Sequence, residues 1–203
     1  MSTPNEIERV PGWFIRELAE PFRAGIASVF IVHGDSNCLV RDPDAEGDKD
    51  VEYLTFRKFL EKSFEDRQLV IYYNIATGAW TLSAEMDKLF RKVAGIEDAK
   101  TDGADPVAAA KAGLAAKRGL PREPEACLPL IEKALRKLEG VAVIIESAHF
   151  VTPASGSGSA LPVNDRMNIE RFRIWGRSEK IRKNRNIVLL LTDQAAKVSQ
   201  ELR

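Results

Sequence analysis

Four short apolar runs, at residues 29–32, 69–73, 141–145 and 187–191, constrain this chain more than any other feature of it. Each is rich in β-branched or aromatic residues, and none alternates with polar ones. Continuous runs of this length are the pattern of strands covered on both faces. Helical spacing fills the intervals. Phe56, Phe59, Leu60 and Phe64 precede the second run; Met86, Leu89, Phe90 and Val93 follow it, with Ser83 placed to cap them. Leu128, Ile131, Leu135 and Leu138 lead into the third run, and Gly140 supplies a stop. Asp165 is a candidate cap for a long helix over 167–182 that turns Ile169, Phe172 and Trp175 inward. An opening amphipathic helix over 7–22 carries Trp13, Phe14, Leu18 and Phe22, with Pro11 and Pro21 bracketing its regular part. Strands alternating with helices predict an α/β fold, a three-layer parallel sheet with helices on both faces.

The whole chain, 1–203, reads as one such domain with three flexible segments. Residues 42–52 are acidic, 97–125 are rich in alanine, lysine, glycine and proline, and 152–162 are rich in glycine, serine and proline. Within the second, 107–117 can form an alanine-rich helix with little to pack. Lys+Arg and Asp+Glu balance at 30 each, so net charge draws the chain toward neither nucleic acid nor membrane. No apolar run approaches the roughly 18 residues of a membrane span, and the polar start is no signal peptide. Cys38 and Cys127 stand far apart and in no metal spacing, which predicts a reduced, cytoplasmic setting. Two histidines without neighbouring ligands predict no metal centre.

The chemistry-bearing positions lie at the ends of the runs. The first run reaches His33-Gly34, as a phosphate-binding loop begins. Such a loop continues to Gly-Lys-Ser/Thr, whose backbone amides cradle phosphates while the lysine reaches the terminal ones and the hydroxyl holds Mg²⁺. Here the chain continues Asp35-Ser36-Asn37-Cys38-Leu39-Val40-Arg41, with no second glycine and no lysine. The third run ends in Glu146-Ser147, where an acidic residue holds Mg²⁺ and the next one polarises the attacking water; serine cannot do the second job. Glu146 is equally readable as a solvated strand end. The fourth run ends in Thr192-Asp193, either a γ-phosphate sensor or an ordinary turn.

In order and spacing, these segments resemble the degenerate front ATPase lobe of a group of bacterial and plastid AAA+ proteins. The matching residues are 33–40 after the first run, 72–78 after the second, 144–149 after the third, and 186–193 with Glu201-Leu202-Arg203 at the end. The resemblance implies P-loop NTPase topology, RecA-like, with a neighbouring active AAA+ module in the same or another chain. It implies that Arg203 is an inter-subunit arginine. Such a core has five strands and only four runs are visible, so the fifth would come from elsewhere. In that topology the fourth run lies between the first and third. His33 and His149 then meet Asp35, Glu146 and Asp193 at the carboxyl edge, a polar cluster able to take a small ligand or to titrate.

The reading is a non-hydrolysing lobe with no catalytic residue and no cofactor, acting in regulation, assembly or partner recognition. Its partners would be an AAA+ module, and possible homo-oligomers, but no membrane. Two alternatives stay open. In one, ATP and Mg²⁺ bind an unusual site built from Gly34, Asp35, Asn37, Arg41, Glu146 and Thr192, with Arg41 standing for the missing lysine. In the other, the basic stretch 171–185, with Arg171, Arg173, Arg177 and Arg182, contacts an acidic partner or nucleic acid.

Overall fold

The computed structural model describes residues 10–35, 37–42, 53–96, 120–155 and 160–203. All four apolar runs form strands: β1 (Val29–His33), β4 (Leu69–Asn74), β6 (Val141–Ile145) and β7 (Ile187–Thr192). They make one sheet in the order β1-β7-β6-β4, all parallel, which puts the fourth run between the first and third. The sheet also has a fifth strand, β5 (Gly78–Thr81), antiparallel to β4 at the far edge. The expectation of only four strands is corrected here. β5 is built by the turn after Asn74, whose Oδ1 accepts from the Ala76 and Thr77 amides and the Thr77 hydroxyl. Two short strands, β2 (Leu39–Arg41) and β3 (Tyr53–Thr55), pair separately as an antiparallel hairpin.

Alternation along the buried strands explains why their sequences are apolar throughout. Leu69, Ile71, Tyr73, Val141, Val143, Ile145, Val188 and Leu190 face one helical layer. That layer holds α3 (Ala84–Ala94), α4 (Pro124–Lys137), α5 (Val163–Arg177) and α6 (Glu179–Lys183). Val70, Tyr72, Ala142, Ile144, Ile187, Leu189 and Leu191 face the other layer. There α2 (Phe56–Ser63) packs beside the opening helix over residues 12–23, which passes through a π-helical stretch, Phe14–Ala19, into α1 (Glu20–Arg23). Every residue of β6 and β7 is buried, so each large aliphatic there stabilises the fold by about 2 kcal/mol.

Ser83 caps α3 as its position suggests, its hydroxyl accepting from the Met86 amide. Two helix boundaries differ from expectation. The long helix starts at Val163 behind Pro162, with Asp165 inside its first turn rather than capping it, and it breaks at Ser178, which caps α6. Pro21 lies inside the continuous helical stretch 12–23, just past the π-helical run Phe14–Ala19, so it does not end the opening helix. Residues 7–9, 43–52, the alanine-rich 107–117 with the rest of 97–119, and 156–159 lie outside the described residues.

Candidate functional site

Parallel strands bring their carboxyl ends to one edge, so His33, Asn74, Glu146 and Thr192 come together from positions far apart in sequence. The β2–β3 hairpin delivers α2 to the same edge. Phe56 N–H donates to Cys38 O, and Thr55 Oγ1 accepts from the Lys58 amide to cap α2. A buried Asp42 carboxylate receives Lys62 Nζ at 2.8 Å on both oxygens, pinning the hairpin to α2. The result is a cavity of about 630 Å³ lined in part by Asn37, Arg57, Tyr72, Glu146, His149 and Thr192.

Arg57 lines this cavity. Its Nε and Nη2 donate to Glu146 Oε1 at 3.0 and 2.5 Å. Asn74 Nδ2 donates to Glu146 Oε2 at 3.0 Å, so both carboxylate oxygens are engaged. The guanidinium lies 5.4 Å from the Trp80 ring centre and 5.9 Å from that of Tyr72, and the two rings stack on each other at 5.5 Å. Burial and then the Glu61 carboxylate push the Tyr72 hydroxyl above its ordinary pKa, against the pull of Arg57. That hydroxyl is buried and has no hydrogen-bond partner among the described residues.

Three amides at the turn after β1 are spent within the fold. Gly34 N–H donates to Thr192 O, Asn37 N–H to the Asp35 carboxylate at 2.8 Å, and Cys38 N–H to Asp35 O at 3.1 Å. Gly34, at φ 139°, carries the chain through a conformation that side chains resist. After β6, Ser147 adopts a left-handed conformation, φ 51°, rare for a residue with a Cβ. Thr192 Oγ1 lies 3.2 Å from both Gln194 O and His149 Nδ1. The same hydroxyl lies 3.4 Å from Asp193 Oδ1. Asp193 is held below the ordinary carboxylate range by its hydrogen bond from Lys197. Among the described residues, no group of three His, Cys, Asp or Glu side chains could hold a metal ion.

Residues 3–203 match the family model described as "AAA+ chaperone, N-terminal Rossmann-like domain". The chain belongs to this family. No curated protein and no solved structure matches it. The match agrees with the α/β sheet of mainly parallel strands and with the resemblance to a front AAA+ lobe. Among the described residues of this AAA+ chaperone domain, no helix is long and apolar enough to cross a membrane.

Of the residues singled out in the sequence, the AAA+ chaperone domain brings Asn37, Glu146 and Thr192 into the central cavity. Gly34 and Asp35 line a smaller neighbouring one of about 140 Å³, with His33 and Thr192. Arg41 lies in β2 opposite Tyr53 and lines neither cavity. Arg203 is exposed at the end of the 3-10 turn Gln200–Leu202. The basic stretch is partly consumed within the fold. Arg173 bonds Glu170 and Glu201, and Arg171 Nε lies 3.9 Å from Glu132, while Arg177 is exposed and Arg182 half-buried.

Sequence reasoning missed Arg57 and Trp80, and it had Tyr72 and Asn74 only within the matching segment 72–78, with no role at a site. One signal was available for Arg57: a cation in the first turn of a helix opposes the helix dipole, which argues for a partner elsewhere.

Proposed function

We propose that this AAA+ chaperone domain is a non-hydrolysing lobe that works by contacting proteins, in regulation, assembly or recognition, from a cytoplasmic setting. The observation that carries the reading is that both carboxylate oxygens of Glu146 accept from side chains of the fold, Oε1 from Arg57 and Oε2 from Asn74. Mg²⁺ requires free carboxylate oxygens and space for its water shell. At the strand end where that ion is expected, the chain supplies its own cation instead, placed beside the stacked Trp80 and Tyr72 rings. The turn after β1 points the same way. A phosphate cradle needs backbone amides aimed at the ligand, and those of Gly34, Asn37 and Cys38 are given to Thr192 and Asp35. The Asp35 carboxylate adds repulsion toward phosphate oxygens. The residues present do not fit a bound Mg-nucleotide.

The test is the shift of the denaturation midpoint in millimolar Mg-ATP, with an ATPase assay on the same sample. A ligand at 100 times its Kd stabilises by about 2.7 kcal/mol, a shift no midpoint measurement would miss. The reading predicts no shift and no turnover. A stabilisation that saturates with Mg-ATP would contradict it.

A further inference from the structure

α5 is apolar on two faces. Ile169, Phe172 and Trp175 are buried, yet Val163, Met167 and Ile174 on the opposite side of the helix are 60%, 53% and 47% exposed. Among the described residues of α1–α6, only α5 exposes large hydrophobic side chains. Their spacing is that of a heptad seam, 163, 167, 170, 174 and 177, in which Glu170 and Arg177 take the two remaining places. The flanks of the seam are basic, with Arg166 and Arg173 on one side and Arg171 on the other. Glu170 is turned aside from the seam: it accepts from Arg173 Nη1 at 2.8 Å, and the same nitrogen reaches Glu201 at 3.0 Å. Arg171 Nε stands 3.9 Å from Glu132. Arg166 and Arg177 are exposed and make no ion pair with any described residue.

We propose that α5 docks an acidic amphipathic helix of a partner protein along this seam. Charges flanking the seam of a helix pair decide which partner is accepted, and here they select against the obvious alternatives. A second copy of α5 would meet itself with like charges. Parallel pairing sets Arg166 against Arg171 of the other copy, and antiparallel pairing sets Arg166 against Arg173. Nucleic acid phosphates would satisfy the arginines but leave Val163, Met167 and Ile174 in water. A helix with apolar residues in its own seam and Asp or Glu on its flanks meets both demands, covering the stripe and neutralising Arg166 and Arg177. The seam spans two heptads, roughly 20 Å of helix, which suits a weak and reversible contact. The docking rests on the reading of a lobe that contacts proteins but not on the loss of nucleotide, which Mg-ATP tests separately.

The experiment is fluorescence anisotropy of a labelled peptide of about 20 residues, with leucine at its seam positions and glutamate on its flanks, titrated with the full chain to submillimolar concentration. A peptide of the same composition with its leucines scrambled, and a short DNA duplex, are titrated alongside. The expected result is saturable binding of the first peptide, at least about tenfold tighter than the scrambled one. Met167→Asp, which removes an apolar contact and sets a carboxylate against the glutamates, should weaken it by about tenfold or more. Arg166→Glu combined with Arg177→Glu should weaken it as well. All three positions are exposed, so neither variant takes a side chain from the core. No binding by the unmodified chain would overturn the proposal. So would equal binding of the scrambled peptide, tighter binding of the duplex, or binding that both variants leave unchanged. The comparison of the two peptides on the unmodified chain decides the matter even if a variant folds poorly.

Discussion

Replacing Arg57 by methionine isolates what its guanidinium contributes, because methionine keeps an unbranched stem against Tyr72 and Trp80. Two terms are lost. The first is the ion pair to Glu146, made through Nε and Nη2 with side-chain exposures of 51% for Arg57 and 19% for Glu146. Half-exposed arginine pulls its value toward the surface range of up to about 1 kcal/mol, while the more buried carboxylate pulls it toward the roughly 1.5–3 kcal/mol of a charged hydrogen bond. About 1 kcal/mol is the resulting figure for the pair. The second term is the guanidinium above Trp80 and Tyr72, worth about 0.5–1 kcal/mol. Arg57→Met should therefore destabilise by about 2 kcal/mol, which for a chain of this size lowers Tm by roughly 4–8 °C. The assay is urea denaturation of the unmodified chain, Arg57→Met, Glu146→Gln and the double variant, compared at constant m-value. The cycle should return a coupling of about 1 kcal/mol between residues 57 and 146, again set by the half-exposed pair. Strictly additive effects would refute the claim that this cation neutralises Glu146.

Three further outcomes follow from the same contacts. Asn186 is buried, accepts from the Val141 amide at 2.8 Å and donates to Leu135 O and Leu138 O at 2.7 and 3.0 Å; Asn186→Ala should cost about 3 kcal/mol in urea unfolding. Gly78 opens β5 at φ 82°, and an added Cβ would stand 3.2 Å from the carbonyl oxygens of Leu120 and Pro121, so Gly78→Ala should cost at least about 1 kcal/mol by the same measurement. Burial pushes the Cys127 thiol up to about 12 from an ordinary 9.0, and buried Tyr72 and Tyr73 also ionise above their ordinary value. The unfolded chain thus releases these protons first, so the stability they contribute is whole below pH 9 and falls as pH rises toward 12. The slope from Cys127 sets in near pH 9 and approaches about 1.4 kcal/mol per pH unit, that from the tyrosines sets in only near pH 10, and together they read as a denaturation midpoint that falls from pH 9 to 10.5; a flat midpoint would contradict the burial.

The fold was legible where burial on two faces forced the sequence to be apolar without interruption. That condition holds for 69–73, 141–145 and 187–191, whose side chains alternate between the two helical layers. It does not hold for β5, where Gly78-Ala79-Trp80-Thr81 carries only one large apolar residue and the strand exists because Asn74 turns the chain back on β4. The carboxyl-edge positions Glu146 and Thr192 were visible as polar residues closing apolar runs. Their partners were not, because the contacts that define the site cross 89 residues from Arg57 to Glu146 and 72 from Asn74 to Glu146. Local pattern fixes where a strand ends, while pairing across the sheet edge is set by topology. The missing lysine was plain in the sequence, but the arginine that neutralises Glu146 became visible only once α2 was seen to begin at the cavity.

The measurement that tests the central claim most directly is calorimetric titration of the chain with ATP and with ADP, each with Mg²⁺, up to millimolar concentration. The account predicts no binding heat beyond dilution, because Glu146 is held by Arg57 and Asn74 and the turn amides by Asp35 and Thr192. A saturable isotherm in the micromolar range would contradict it.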